Sequence, residues 1–77
     1  MFEDGQYCVI KESRELVRFI GNLNGDYTCE LGIIEDAYDS IRVVRLNDIE
    51  PINREEAIEF NPVAYAILES YEDRYDE

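Results

Sequence analysis

The sequence has no histidine and no tryptophan, and only seven of its 77 residues are basic. Without histidine, the chain lacks the side chain that most often serves as a general base near neutral pH. Ser13 and Ser40 lie in predicted loops, with no base at a spacing typical of a nucleophilic site. We therefore expect a protein that is not an enzyme and that uses no cofactor.

Cysteine is scarce. The chain has two, Cys8 and Cys29, which are too few and too far apart for a disulfide framework or a zinc site. Both lie in apolar runs, where a free thiol behaves as a small hydrophobic side chain. We predict two buried, reduced thiols, and a cross-strand disulfide between them is the alternative.

Long apolar runs are missing as well. No segment reaches the roughly 20 apolar residues of a membrane-spanning helix. The residues after Met1 show no basic region followed by an apolar stretch, as a secretory signal would. We expect a cytosolic protein that does not contact a membrane.

The first two-thirds of the chain have the pattern of short strands. Alternating or β-branched runs predict strands over 6–11, 16–20, 27–34 and 41–46, and a brief last strand near Pro51. Val17 and Phe19 should lie on one face of the second strand, and Leu16, Arg18 and Ile20 on the other. Gly32, inside the third, predicts a bulge or sharp bend. Pro51 places the last strand at an edge, because proline cannot donate to a ladder.

The pattern changes to a helical one after residue 52. Asn53, with Glu56 three residues later, predicts a capped short helix through Phe60. Asn61 followed by Pro62 predicts the start of a second helix. A spacing of 100° per residue assigns six residues to the apolar face of that helix: Val63, Ala64, Ile67, Leu68, Tyr71 and Tyr75.

Strands of this length and order resemble a small Src-homology-3-like or Tudor-like barrel. The residues that carry the resemblance are Phe2, Gly5, Cys8 and Val9, then 27–30, then the closing run 46–52. The resemblance implies a mainly β, α+β fold: a five-stranded barrel, or a strongly bent antiparallel sheet, over residues 1–52. A helical extension over 53–77 would pack on it within a single domain. Such barrels are commonly binding modules, although no spacing of Tyr7, Tyr27 and Tyr38 marks an aromatic cage.

Nineteen acidic side chains give the chain a net charge of −12. One cluster, Glu35, Asp36 and Asp39, lies in a predicted loop after the third strand. Its oxygens would suit calcium or magnesium, but the loop lacks the ligand spacing of a calcium site, so we interpret it as a solvated loop without metal. A second acidic set follows the outer side of the terminal helix, with Tyr65 as an exposed aromatic neighbour: Glu69, Glu72, Asp73 and Asp76.

We interpret these two acidic sets and Tyr65 as a partner-binding surface. Such a charge repels nucleic acid and attracts basic proteins. In size and charge the chain resembles small acidic inhibitors encoded by phages, such as anti-CRISPR proteins, which implies mimicry of DNA in the basic groove of a nucleic-acid-handling protein. The alternative is a structural or peptide-binding module that uses its barrel face or pairs with copies of itself. In that case the charge serves solubility.

Overall fold

A computed structural model describes residues 2–25 and 30–71. The strands are β1 (Tyr7–Ile10), β2 (Leu16–Asn22), β3 (Leu31–Asp36), β4 (Ile41–Arg45) and β5 (Ile49–Pro51). They form one antiparallel sheet in the order β4-β3-β2-β1-β5. Single 3₁₀ turns lie at Leu23–Gly25 and Leu46–Asp48, and two helices follow, α1 (Arg54–Phe60) and α2 (Pro62–Ser70). The predicted α+β class is confirmed.

The sheet is buried on both faces near its centre. One face holds Cys8, Val17, Phe19, Ile34 and Ile49, with Val44 and Leu46 packed against them. This cluster joins residues from β5 to residues from β4, so the sheet curls until its two edge strands share one core. The predicted alternation in β2 is confirmed, because Val17 and Phe19 lie in this core while Leu16 lies in the other.

The opposite face is covered by the helices. Tyr7, Val9 and Leu16 pack there against four helix-side residues, Ala57, Ala64, Leu68 and Tyr71. Strands β1 and β2 therefore lie between two apolar layers, which ties the helical segment to the sheet. Strand β5 lies at one edge, as Pro51 predicted, and β4 lies at the other.

Gly32 has a different role from the predicted one. The irregular register lies in β2, between Phe19 and Gly21, and not at Gly32. Instead, other side chains approach the Gly32 backbone closely. A Cβ there would lie 2.7 Å from Leu46 Cδ2 and 2.8 Å from Phe19 Cε2. Glycine suits this position because the side chains of Leu46 and Phe19 pack directly against the backbone of β3, where a larger residue would displace them.

The helix starts follow the predicted signals. Asn53 accepts a hydrogen bond from the Glu56 N–H, and the Glu56 side chain accepts one from the Asn53 N–H, which completes a capping box. The Asn61 side chain accepts from the Ala64 N–H, with Pro62 at the first turn of α2. The same Asn61 ends α1 through its own N–H, so one residue sets the corner between the two helices.

The buried face of α2 is narrower than predicted. Ala64, Leu68 and Tyr71 are buried, whereas Val63 is 69% exposed. Placing Val63 on the apolar face was wrong, because the stripe that meets the sheet is centred on Ala64 and Leu68. The predicted contribution of Tyr75 lies outside the described residues. No helix among residues 2–25 and 30–71 has the length and apolar character needed to cross a membrane.

Candidate functional site

The first predicted acidic set is mostly buried. Glu35 and Asp36 are the last residues of β3, not part of a loop, and each is only 5% exposed. Glu35 lies between Arg18 of β2 and Ile41 of β4 in the register of the sheet. Their interpretation as solvated loop acids was wrong, because pairing with β2 extends the strand through both residues.

Asp36 has a local structural task. Its Oδ1 atom accepts hydrogen bonds from the backbone N–H groups of Tyr38 at 2.9 Å and Ser40 at 3.1 Å. Its Oδ2 atom lies 3.2 Å from Arg42 Nη2. The carboxylate thus holds the β3–β4 turn, where Asp39 adopts a left-handed φ of 63° and is exposed. Of the three acids in the first predicted set, only Asp39 lies at the surface.

Glu69 is partly exposed, but its carboxylate is bonded to other side chains of the protein. It accepts hydrogen bonds from the hydroxyl groups of Tyr7 and Tyr65 and from the Arg54 guanidinium. Arg18 Nη1 lies 3.6 Å from the same carboxylate. Tyr65 is half-buried rather than exposed, with its ring 5.2 Å from the ring of Tyr7. These contacts form what we call the Glu69 cluster, which joins α2 to β1, β2 and the start of α1.

Protonation in the Glu69 cluster follows from these contacts. Burial would raise the pKa of Glu69, but the hydrogen bonds from Tyr7 and Arg54 and the charges of Arg54 and Arg18 outweigh it, so the pKa lies below its usual value. Burial, together with the bond to Glu69, raises the pKa of the Tyr7 hydroxyl. The cluster is therefore a fixed ion pair at neutral pH. The remaining predicted acids, Glu72, Asp73 and Asp76, lie outside the described residues.

The described surface is acidic because exposed acids outnumber exposed cations, and two of the six described cations are withdrawn from it. Arg18 is buried, and Arg42 is bonded to Glu15 and Asp36. The exposed cations are Lys11, Arg14, Arg45 and Arg54, the last of which is bonded to Glu69. Residues 2–25 and 30–71 expose ten acids: Glu3, Asp4, Glu12, Glu30, Asp39, Asp48, Glu50, Glu55, Glu56 and Glu59.

Three of these exposed acids surround a groove of about 400 Å³ between β5 and α1. Its apolar side chains are Val9, Ile52 and Phe60, its acids are Glu50, Glu56 and Glu59, and Arg14 also lines it. We call this the β5–α1 groove. Sequence reasoning missed it. The spacing of Glu56 and Glu59 on one helix face was visible, but the pairing that brings Glu50 beside Val9 is long-range.

Exposed apolar side chains form a second kind of surface. Tyr38, Ile41 and Val43 are 81%, 63% and 53% exposed, on the β3–β4 turn and on the edge strand β4. A groove of about 830 Å³ runs beside β4, lined by Val44, Leu31 and Ile10 among others. An interaction module of the predicted alternative kind would have this apolar surface at its disposal. Tyr27 lies outside the described residues, and Tyr7 is buried, so it cannot contribute to an aromatic cage.

Reactive chemistry has little support in the described part of the chain. Burial raises the pKa of the Cys8 thiol to about 12, which keeps it protonated at neutral pH. Cys8 is a free, buried thiol as predicted, whereas Cys29 lies outside the described residues. Residues 2–25 and 30–71 contain no group of three or more acidic or cysteine side chains placed to hold a metal ion.

No family model, curated protein or solved structure matches this chain. Its described residues combine a curled five-stranded antiparallel sheet, two helices packed on one face, and an exterior rich in carboxylates.

Proposed function

We propose that this protein is a non-catalytic binding module whose acidic exterior occupies a basic surface of another protein. The observation that carries the proposal is the distribution of charge: the described residues expose ten carboxylates but only four cations, and three of the five described arginines are paired with carboxylates of the chain. In its most specific form the proposal is mimicry of DNA, in which these carboxylates take the place of phosphates in the groove of a nucleic-acid-handling protein.

The contact surface differs from the one that the sequence suggested. Glu35, Asp36 and Glu69 are engaged within the fold, so they contribute little to a partner. The exposed acids of β5 and α1 replace them in the proposal, above all Glu50, Glu55 and Glu59. Glu55 and Glu59 are four residues apart in α1, where like charges repel by about 0.2–0.5 kcal/mol. A basic partner would relieve that repulsion.

The proposal is tested by capture on the immobilised protein from a lysate of the organism that encodes it, at about 50 mM NaCl. We expect a basic protein that binds duplex DNA and that is released from the column by added duplex DNA. The variant Glu50→Lys, Glu55→Lys, Glu59→Lys should fold, as judged by circular dichroism, and lose the protein. Retention by this variant, or release that is insensitive to DNA, would contradict the proposal.

A second candidate function rests on a different observation. Tyr38, Ile41 and Val43 expose apolar area beside the edge strand β4, which suits an interaction module that binds through its barrel face. Ile41→Ser together with Val43→Ser should then abolish capture while the triple lysine variant keeps it. The two variants thus separate the two candidates.

A further inference from the structure

We infer that the β5–α1 groove receives the side chain of one lysine or arginine of the partner. The aliphatic stem would lie on Ile52 and Phe60, beside the buried Val9, and the charged head among Glu50, Glu56 and Glu59. The inference rests on the proposed function and narrows it to one contact and one kind of side chain.

The chemistry of the groove matches a long cationic side chain. Such a side chain buries its methylene stem on apolar surface while its charge stays at a polar rim. The groove offers both parts, since Val9 lies beside Glu50 across the β1–β5 pairing and α1 closes the other side. Glu56 already accepts the Asn53 N–H in the capping box. Within the described residues, the side chains of Glu50 and Glu59 have no hydrogen bond or ion pair.

One cation of this kind already lines the groove. The Arg14 guanidinium lies over the ring of Phe60, 5.4 Å from its centroid. Arg14 adopts a φ of 62°, a left-handed conformation that costs a non-glycine residue roughly 1–2 kcal/mol. The backbone at Arg14 keeps this strained conformation while the guanidinium lies over Phe60. The carboxylates of Glu50 and Glu59 nevertheless remain unpaired in the groove, so they can bind a second cation.

The test uses N-acetyl-arginine amide as probe, titrated into the ¹⁵N-labelled protein at constant ionic strength and followed by NMR. N-acetyl-citrulline amide, which is neutral and of nearly the same shape, is the control probe. We expect the arginine probe to shift amide signals of Val9, Glu50, Ile52 and Phe60, and the citrulline probe to leave them in place. Equal shifts with citrulline would overturn the inference.

Matched variants separate the groove from the general acidity of the surface. Glu59→Gln and Glu55→Gln remove the same charge from the same helix, but only Glu59 lines the groove. We expect Glu59→Gln to weaken binding of the arginine probe about threefold, as for one partly exposed ion pair, with a smaller effect of Glu55→Gln. Equal effects of the two variants would overturn the inference.

Arg14→Asn gives an independent check. Asparagine tolerates the left-handed φ but carries no guanidinium, so the groove loses its internal cation. The arginine probe should bind about threefold more tightly to this variant. Unchanged or weaker binding would count against the inference.

Failure of the inference and failure of the proposed function give different results. A probe that misses the groove, with a captured protein still released by DNA, overturns only the inference. A probe that occupies the groove, with capture unaffected by the triple lysine variant, supports the groove contact and overturns the proposed function.

Discussion

At the scale of single residues, Glu69 shows how a carboxylate can be removed from the surface without being fully buried. Its side chain remains 26% exposed, yet it bonds two tyrosine hydroxyls and lies beside two arginines. Charge-assisted hydrogen bonds of this type contribute more to stability than neutral ones. Glu69 therefore stabilises the packing of α2 on the sheet.

We predict that Glu69→Gln lowers the free energy of unfolding by about 2 kcal/mol at pH 7, because charge-assisted bonds are lost. The folded protein holds the pKa of Glu69 below its unfolded value, so the ionised form favours folding. That contribution is complete above the unfolded pKa and disappears as the pH falls through the folded one. Urea denaturation at pH 7 and at pH 3 should therefore show a gap between wild type and variant that shrinks in acid.

The matched control for this prediction is Glu59→Gln, which removes an exposed glutamate that has no partner among the described residues. Its effect at pH 7 should stay below about 0.5 kcal/mol. A gap between wild type and Glu69→Gln that widens in acid would show that the ion pairs do not stabilise the fold.

At the scale of elements, the sequence predicted the features that depend on neighbouring residues, namely the helix starts and the buried face of a strand. The caps Asn53 and Asn61 set the helix starts, and the alternation of Val17 and Phe19 set the face of β2. The end of β3 could not be predicted, because it depends on pairing of Glu35 and Asp36 with β2, far away in sequence. The Glu69 cluster was missed for the same reason: its partner Tyr7 lies 62 residues away.

Strand β3 gives a direct test of how tightly the core is packed. We predict that Gly32→Ala lowers the free energy of unfolding by about 1–3 kcal/mol, because the new methyl group meets Leu46 and the fully buried ring of Phe19. Chemical denaturation measures the change. Val43→Ala, at an exposed position of the neighbouring strand, is the control and should cost less. A Gly32→Ala variant as stable as wild type would contradict this prediction and would show that Leu46 and Phe19 can move to accommodate the methyl group.

At the scale of the whole molecule, composition predicted the net charge but not which acids remain at the surface. That selection is made by tertiary structure. Arg18 pairs with Glu69, and Arg42 pairs with Glu15 and Asp36. The acids of β5 and α1 remain exposed. The exterior therefore presents exposed carboxylates on a packed sheet, its turns and α1. An acidic exterior of this kind speeds association with a basic surface.

The most direct test of this account is the affinity for the captured partner, measured by calorimetry as NaCl rises from about 50 to about 300 mM. If the exposed carboxylates make the contact, the affinity should fall at least about tenfold over this range, with a smaller fall for the triple lysine variant wherever its binding is measurable. An affinity that stays constant across the salt range would contradict the account and favour the apolar face of β4.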